Sequence, residues 1–222
     1  SAASDVYKRQ GGGRLMKYAI LSGSPKPSNS CSEMLAKHLF TDMENITVFH
    51  CMDIHKNLDI FHQLQSFDTI VLSFPLYFDA LPSHLLSFLL QWEKERKRAT
   101  VKVNLYVIVN CGFFEGKQNR YALQVVENWC TKSGMCFMGG IGIGAGPMLN
   151  EIQAMAWEHG PKAPVDKALR RMREAIITDT AFESSYVQPA FPRSLYIKMA
   201  HHSWNKQLKK NGYDPKRVYP KR

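Results

Sequence analysis

Hydrophobic positions along the chain fall into short, nearly continuous runs separated by longer stretches of helical period. Runs at 17–22 (KYAILS), 46–51 (ITVFHC), 68–74 (DTIVLSF), 103–110 (VNLYVIVN) and 135–143 (MCFMGGIGI) predict five strands. The apolar character of 68–74 is almost uninterrupted, as in a strand covered on both faces. Between the runs, the spacing predicts a helix over about 29–41 with Met34, Leu35, His38 and Leu39 on one face. A second helix starts at Leu81-Pro82, with Leu85, Leu86, Leu89 and Leu90 inward and the charged WEKERKR end in water. A third spans about 119–133, and two more fit 148–158 and 164–178. The stretch SLYIKMAHHSWNKQLKKNGY reads as a last helix ended by Asn211-Gly212. Only a short connection is expected between the second and third strands.

Strands alternating with helices predict an α/β fold with a parallel, doubly wound sheet. Right-handed crossovers bring the loops that follow the strands to one edge, where ligands sit at the reversal of strand order. In a five-stranded sheet of this kind the reversal lies between the first and third strands. Function is therefore expected in three loops: Gly23–Asn29, Phe74–Pro82 and Asn110–Gly116.

Composition narrows the class. With 222 residues, 45% hydrophobic and 22% charged, the chain suits one globular core and argues against disorder or a coiled coil. No apolar stretch approaches the ~20 residues that span a bilayer. Five cysteines, Cys31, Cys51, Cys111, Cys130 and Cys136, show no CxxC or zinc spacing. They read as free thiols in a reducing, cytoplasmic setting. Residues 1–15 (SAASDVYKRQGGGRL) are polar and read as a non-native or disordered leader, with Met16 as the natural start. The net charge of +10 is unevenly placed: residues 16–192 are neutral overall, whereas 193–222 carry nine basic residues and one acidic. Such a tail is a docked helix with a solvated basic face, an attractor of an anionic dinucleotide, or a nucleic-acid or membrane contact.

The first loop, GSPKPSNS, places Ser24, Lys26, Ser28, Asn29 and Ser30 at a helix start, where unpaired N–H groups suit a phosphate. The same residues also suit a plain N-cap. It contains no GxGxxG. Gly140-Ile141-Gly142-Ile143-Gly144-Ala145 does match GxGxxA, but Pro147 follows and no later strand is evident, so close backbone packing is its expected use. The second loop, with Pro75, Leu76, Tyr77 and Phe78, and the third, with Asn110, Gly112 and Phe113, are aromatic and suit a flat ring. His84, His201 and His202 lack partners at metal spacing, and Cys111 reads as inert packing.

GSPKPSNS, FPLYFDALPSHL and NCGFFEG, each following a strand, resemble the flavodoxin-like NAD(P)H-dependent FMN reductases and quinone reductases over about residues 16–145; the SLYIKMAHHSWNKQLKKNGY tail is similar to a clostridial-type branch. The resemblance implies a flavodoxin-like, doubly wound five-stranded parallel sheet with additional C-terminal helices. It divides the chain into a flavin-binding domain over 16–192 and a basic helix and tail over 193–222. It implies FMN as bound cofactor, NADPH or NADH as co-substrate, and a small electron acceptor such as a quinone or free flavin. Ser24, Lys26, Asn29, Ser30 and the Cys31 N–H would hold the FMN phosphate. Pro75, Leu76, Tyr77 and Phe78, with Asn110, Gly112 and Phe113, would line the ring, largely through backbone contacts. The family often has Arg where Lys26 stands. No catalytic side chain or metal is expected, since the flavin carries the chemistry. A homodimer stays open, membrane insertion is not expected, and the alternative functions are a non-enzymatic flavin electron shuttle or redox sensor, or a nucleic-acid module using the basic tail.

Overall fold

A computed structural model describes residues 16–26, 28–57, 59–96 and 101–218. The leader expected over 1–15 and the last residues of the tail lie outside these.

Six strands form one sheet: β1 (Tyr18–Ser22), β2 (Thr47–His50), β3 (Thr69–Pro75), β4 (Asn104–Asn110), β5 (Cys136–Ile143) and β6 (Ser185–Val187). Their order is β2-β1-β3-β4-β5-β6, and every neighbouring pair is parallel. The helices are α1 (Cys31–Leu39), α2 (Ile60–Leu64), α3 (Ser83–Arg96), α4 (Arg120–Ser133), α5 (Gly146–Glu151), α6 (Ala163–Ile177), α7 (Arg193–Lys210) and α8 (Pro215–Val218).

The apolar runs are continuous because alternate residues serve opposite faces. Ala19, Leu21, Ile70, Leu72, Phe74, Leu105, Val107 and Val109 pack with α3 and α4. Tyr18, Ile20, Val71, Tyr106 and Ile108 pack with α1, α5 and α6. On the second face the strands end in polar residues. Ser22 pairs in register with Ser73, and both are fully buried, as Asn110 nearly is.

Several expectations need correction. β6 adds a sixth strand; three half-exposed residues at a sheet edge carry no apolar run to announce it. Since β6 lies parallel beside β5, a strand does follow the GxGxxA segment. The glycines still serve close packing: a Cβ on Gly142 would meet the Tyr186 ring and the Gly116 carbonyl, and one on Gly144 the Phe114 carbonyl. On α3 the buried stripe is Leu85, Phe88, Leu89 and Trp92. Leu86 and Leu90 are exposed, turned about 100° from it. Trp92 and Arg96 are therefore inside rather than in water, the Arg96 guanidinium donating to the carbonyls of Ser133, Val101 and Gly134. The helix expected over 148–158 stops at Glu151, and the chain turns so that Trp157 stacks on His38 at 3.9 Å. The connection before β3 holds a 3₁₀ turn at Cys51–His55 and α2, anchored by buried Ile60 and Leu64.

The C-terminal helix α7 ends as expected at Asn211, followed by Gly212 in the left-handed region at φ +79°. It is about 27 Å long at 1.5 Å per residue, yet Tyr196 is its one buried side chain. Leu195, Met199 and Trp204 are exposed. Among the described residues no helix is long and apolar enough to cross a membrane.

Candidate cofactor-binding site

The strand order reverses between β1 and β3, and the three expected loops meet there. The His84 ring at the start of α3 is hydrogen bonded to the Gly23 carbonyl at 3.1 Å, tying the second loop's helix to the first loop. The Leu76 N–H donates to the Asn110 carbonyl at 2.8 Å, tying the second loop to the third. His84 thus has a structural task at the site that its sequence context did not signal.

In the first loop, Asn29 at φ +53° redirects the backbone into α1. Ser30 is the N-cap: its Oγ accepts the Glu33 N–H at 3.1 Å and lies 3.2 Å from the Ser32 Oγ. The first turn is fixed from below by the Ser73 hydroxyl, which donates to the Ser32 carbonyl at 2.7 Å. Ser24 is buried and accepts the Lys26 N–H, while the Lys26 side chain is exposed. Among the described residues, no acceptor takes the N–H groups of Asn29, Ser30, Cys31 or Ser32. Donors converging at a helix start beside a cation form an anion cradle. Burial pushes the Cys31 thiol up to about 12, against the opposing pull of Lys26, so the thiol stays neutral.

The second loop is a tight hairpin. Tyr77 and Ala80 exchange N–H···O bonds of 3.0 Å, with Phe78 at φ +49° and Asp79 at φ +59° between them. Two left-handed residues in succession give the I′ turn that glycine and asparagine favour. Here a phenylalanine, wholly exposed, occupies the first position. Leu76 is buried and Tyr77 half-exposed. The N–H groups of Leu76 and Tyr77 are engaged within the protein, so in place of the expected backbone contacts the hairpin offers mainly side-chain surface to a ligand.

The third loop has the opposite character. The carbonyls of Cys111, Gly112 and Phe113 are taken by the Gly146 N–H at 2.8 Å, the Tyr196 hydroxyl at 2.6 Å and the Ala145 N–H at 2.6 Å. Among the described residues, no acceptor takes the N–H groups of Gly112, Phe113 or Phe114. The Asn110 Oδ1 is buried without a partner, Gly112 is open, and Phe113 is half-exposed. Asn119, fully buried, braces the loop by donating to the Cys111 Sγ and to the carbonyls of Gly116 and Ile143. Burial raises the Cys111 thiol, which fits its expected inert role.

Among the described residues, six non-glycines have positive φ, and four of them, Asn29, Phe78, Asp79 and Ala145, lie at this edge of the sheet. Strain concentrated in this way marks functional loops.

These features fit FMN: N–H donors and a lysine for a phosphate, side-chain surface from Leu76 and Tyr77, and an unpartnered Asn110 carbonyl with three N–H groups for a polar ring edge. Two cavities lie outside it. One is a polar hollow between α1 and α6, lined by His38, Asp166 and Arg170. The other is a shallow cleft between Phe114, Pro164, Tyr186 and Phe191. Among the described residues no cluster of His, Cys, Asp or Glu is arranged to hold a metal ion.

No protein-family model matches the chain, and no curated protein matches it in sequence. Solved structures do. An NADH:FMN oxidoreductase in its apo form is similar with TM-score 0.56 and 12% identity, over 74% of this chain and 90% of that one. An NADPH-quinone reductase from P. pentosaceus gives TM-score 0.53 and 16% identity over 74% of this chain and 99% of that one. The Trp repressor binding protein from Bacillus subtilis gives 0.50 and 18% over 58% and 84%. The fold is flavodoxin-like. Its β2-β1-β3-β4-β5 core has the flavodoxin-like order, whose ligand crevice lies between β1 and β3.

Two residues that hydrogen bond to the third loop were not expected from sequence. Asn119 gave no signal beyond its place at a helix start. Tyr196 sits 84 residues from its partner Gly112, in a tail expected to dock as a helix but with no signal for which residue makes the contact.

Proposed function

We propose that this protein is an FMN-dependent oxidoreductase that uses NAD(P)H and passes electrons to a small acceptor such as a quinone or free flavin. One observation carries the reading: two sets of unpaired N–H groups, at Asn29–Ser32 and Gly112–Phe114, flank an aromatic hairpin at the strand-order reversal. Similarity to an NADPH-quinone reductase and an NADH:FMN oxidoreductase supports it.

In this reading Ser24, Lys26, Asn29, Ser30 and the Cys31 N–H hold the phosphate. Pro75, Leu76, Tyr77 and Phe78 cover one side of the ring, and Asn110, Gly112 and Phe113 hold its polar edge. FMN, when bound, supplies the two-electron chemistry between nicotinamide and acceptor. The protein supplies orientation: the carbonyls of the third loop are tied back and its N–H groups are left to stabilise negative charge on a bound ring. Tyr77 and Phe113 are half-exposed and accessible to a flat nicotinamide and then a flat acceptor, received in turn. No side chain is required to move a proton. The five unpaired cysteines suit a reducing compartment such as the cytoplasm.

The test is the absorption spectrum of purified protein mixed with FMN, before and after NADPH or NADH under argon. Retained flavin that bleaches with either nicotinamide and recovers on adding a quinone supports the reading. Retained flavin that neither nicotinamide reduces makes the protein an electron carrier. Failure to retain FMN overturns it.

A further inference from the structure

We propose that Tyr196, on the C-terminal helix, is a positioning residue that sets the direction of the flavin-facing N–H groups in the third loop. The proposal rests on the flavin reading above and adds to it a side chain far from the three loops.

In a trans peptide the N–H points opposite to the preceding C=O, and the described residues contain no cis bond. Binding a carbonyl on one side therefore aims the next residue's N–H to the other side. Three consecutive carbonyls, of Cys111, Gly112 and Phe113, are held from the protein side, so the N–H groups of Gly112, Phe113 and Phe114 face away from it. The outer two carbonyls are held by main-chain donors of Gly146 and Ala145. The middle one is held by a single side chain, the Tyr196 hydroxyl, at 2.6 Å. Gly112 has no side chain of its own to resist rotation of that peptide.

Tyr196 is built to hold this position. It is the only buried residue of α7, and its ring packs on Phe114 with centroids 5.5 Å apart. One turn earlier Arg193 Nε donates to Glu115 Oε1 at 2.5 Å, so the helix start is fastened to the same loop by a second bond. That hydrogen bond holds the Glu115 carboxyl below its ordinary value. Burial raises the Tyr196 hydroxyl above its ordinary value, so it remains a donor at neutral pH. A donor set fixed before ligand arrives costs no reorganisation when negative charge develops on the ring.

Tyr196→Phe keeps the ring on Phe114 and removes only the hydroxyl. FMN and riboflavin are titrated into apoprotein by flavin fluorescence, and the potential of bound FMN is measured against a reference dye. The expected result is weaker binding of both ligands by a similar factor, because the loop faces the ring and not the phosphate. Reduced FMN should lose about tenfold more affinity than oxidised FMN, a fall of about 30 mV for a two-electron couple. Arg193→Gln, which loosens the helix start while keeping the hydroxyl, should shift the potential the same way by less. Wild-type affinity and potential in Tyr196→Phe would overturn this role alone. A wild-type protein that binds neither flavin would overturn the flavin reading and this role together.

Discussion

His38 on α1 and Asp166 on α6 are joined by a 2.6 Å bond between Nε2 and Oδ1, with the imidazole stacked on Trp157. The other carboxylate oxygen accepts Arg170 Nε at 2.7 Å. Burial alone would raise the Asp166 carboxyl, but the hydrogen bonds from His38 and Arg170 outweigh it and hold the group below its ordinary 3.8. A depressed carboxyl stabilises the fold above its unfolded value and loses that contribution as pH falls through the folded value. Asp166→Asn should therefore destabilise the protein at pH 7. The difference from wild type should shrink below about pH 4. Urea melts at both pH values decide the point; a constant difference would mean that the pair contributes packing, not charge.

The hairpin tip tests whether strain is kept for function. Phe78 is wholly exposed and left-handed, so Phe78→Gly removes no packing and relieves about 1 kcal/mol of backbone strain. For a chain of this size Tm should rise by about 2–4 °C. If the aromatic covers the ring, FMN should bind several-fold more weakly in the same variant. A stabilised protein with unchanged FMN affinity would remove Phe78 from the site.

The two ends of the ligand can be separated. Lys26→Ala should weaken FMN far more than riboflavin, since only FMN carries a phosphate, whereas Tyr77→Ala should weaken both alike. Ser30→Asp can still cap α1, where Asp is acceptable, and should abolish FMN retention by placing a carboxylate against the phosphate. Equal losses of both ligands in Lys26→Ala would reverse the assigned orientation.

Gly112 gives a cleaner steric test. A Cβ there meets no atom within 4 Å, so Gly112→Ala should leave the apoprotein at least as stable. A ring lying against the loop would meet that methyl, and FMN affinity should fall. Thermal melts and flavin titration read the two effects separately, and an Ala variant with full affinity would place the ring elsewhere.

Much of this was legible in the chain. The strands of the central sheet were, because burial on both faces leaves uninterrupted apolar runs such as TIVLSF. The three loops were, because their glycines, prolines and aromatics sit directly after those runs. What escaped was whatever depends on distant partners. Leu86 and Leu90 are as apolar as Leu85 and Leu89, and only the packing of α3 against the sheet and α4 shows which pair faces inward. β6 is a strand because β5 offers it an edge, and Trp157, beyond the helix end at Glu151, stacks on His38 from a distant part of the chain. The direction of the N–H groups in the third loop depends on Tyr196, which no local pattern connects to Gly112.

The basic tail is anchored to the third loop at its first turn, and no residue of α7 beyond Tyr196 is buried. Lys206, Lys209 and Lys210 lie about 15–21 Å of helix beyond Tyr196. Their attraction for a dinucleotide should act at 10 mM salt, where the Debye length is about 30 Å, and fade near 0.1 M, where it is about 10 Å. Replacing all three with Gln should slow NADPH capture at low salt only, as read by stopped-flow flavin reduction. Equal rates at every ionic strength would discard the steering role.

A rod clamped at one end is also a lever. Along α7 the grip on the body is concentrated at Tyr196 and Arg193, so a torque applied near Lys210 is resisted mainly by the Gly112 and Glu115 contacts. Linkage then binds the two ends together: a molecule that grips the far end and loosens Tyr196 must weaken flavin by some factor, and flavin must repel that molecule by the same factor. Occupancy of the cofactor site would in this way be reported about 20 Å away, on the most positively charged segment of the chain.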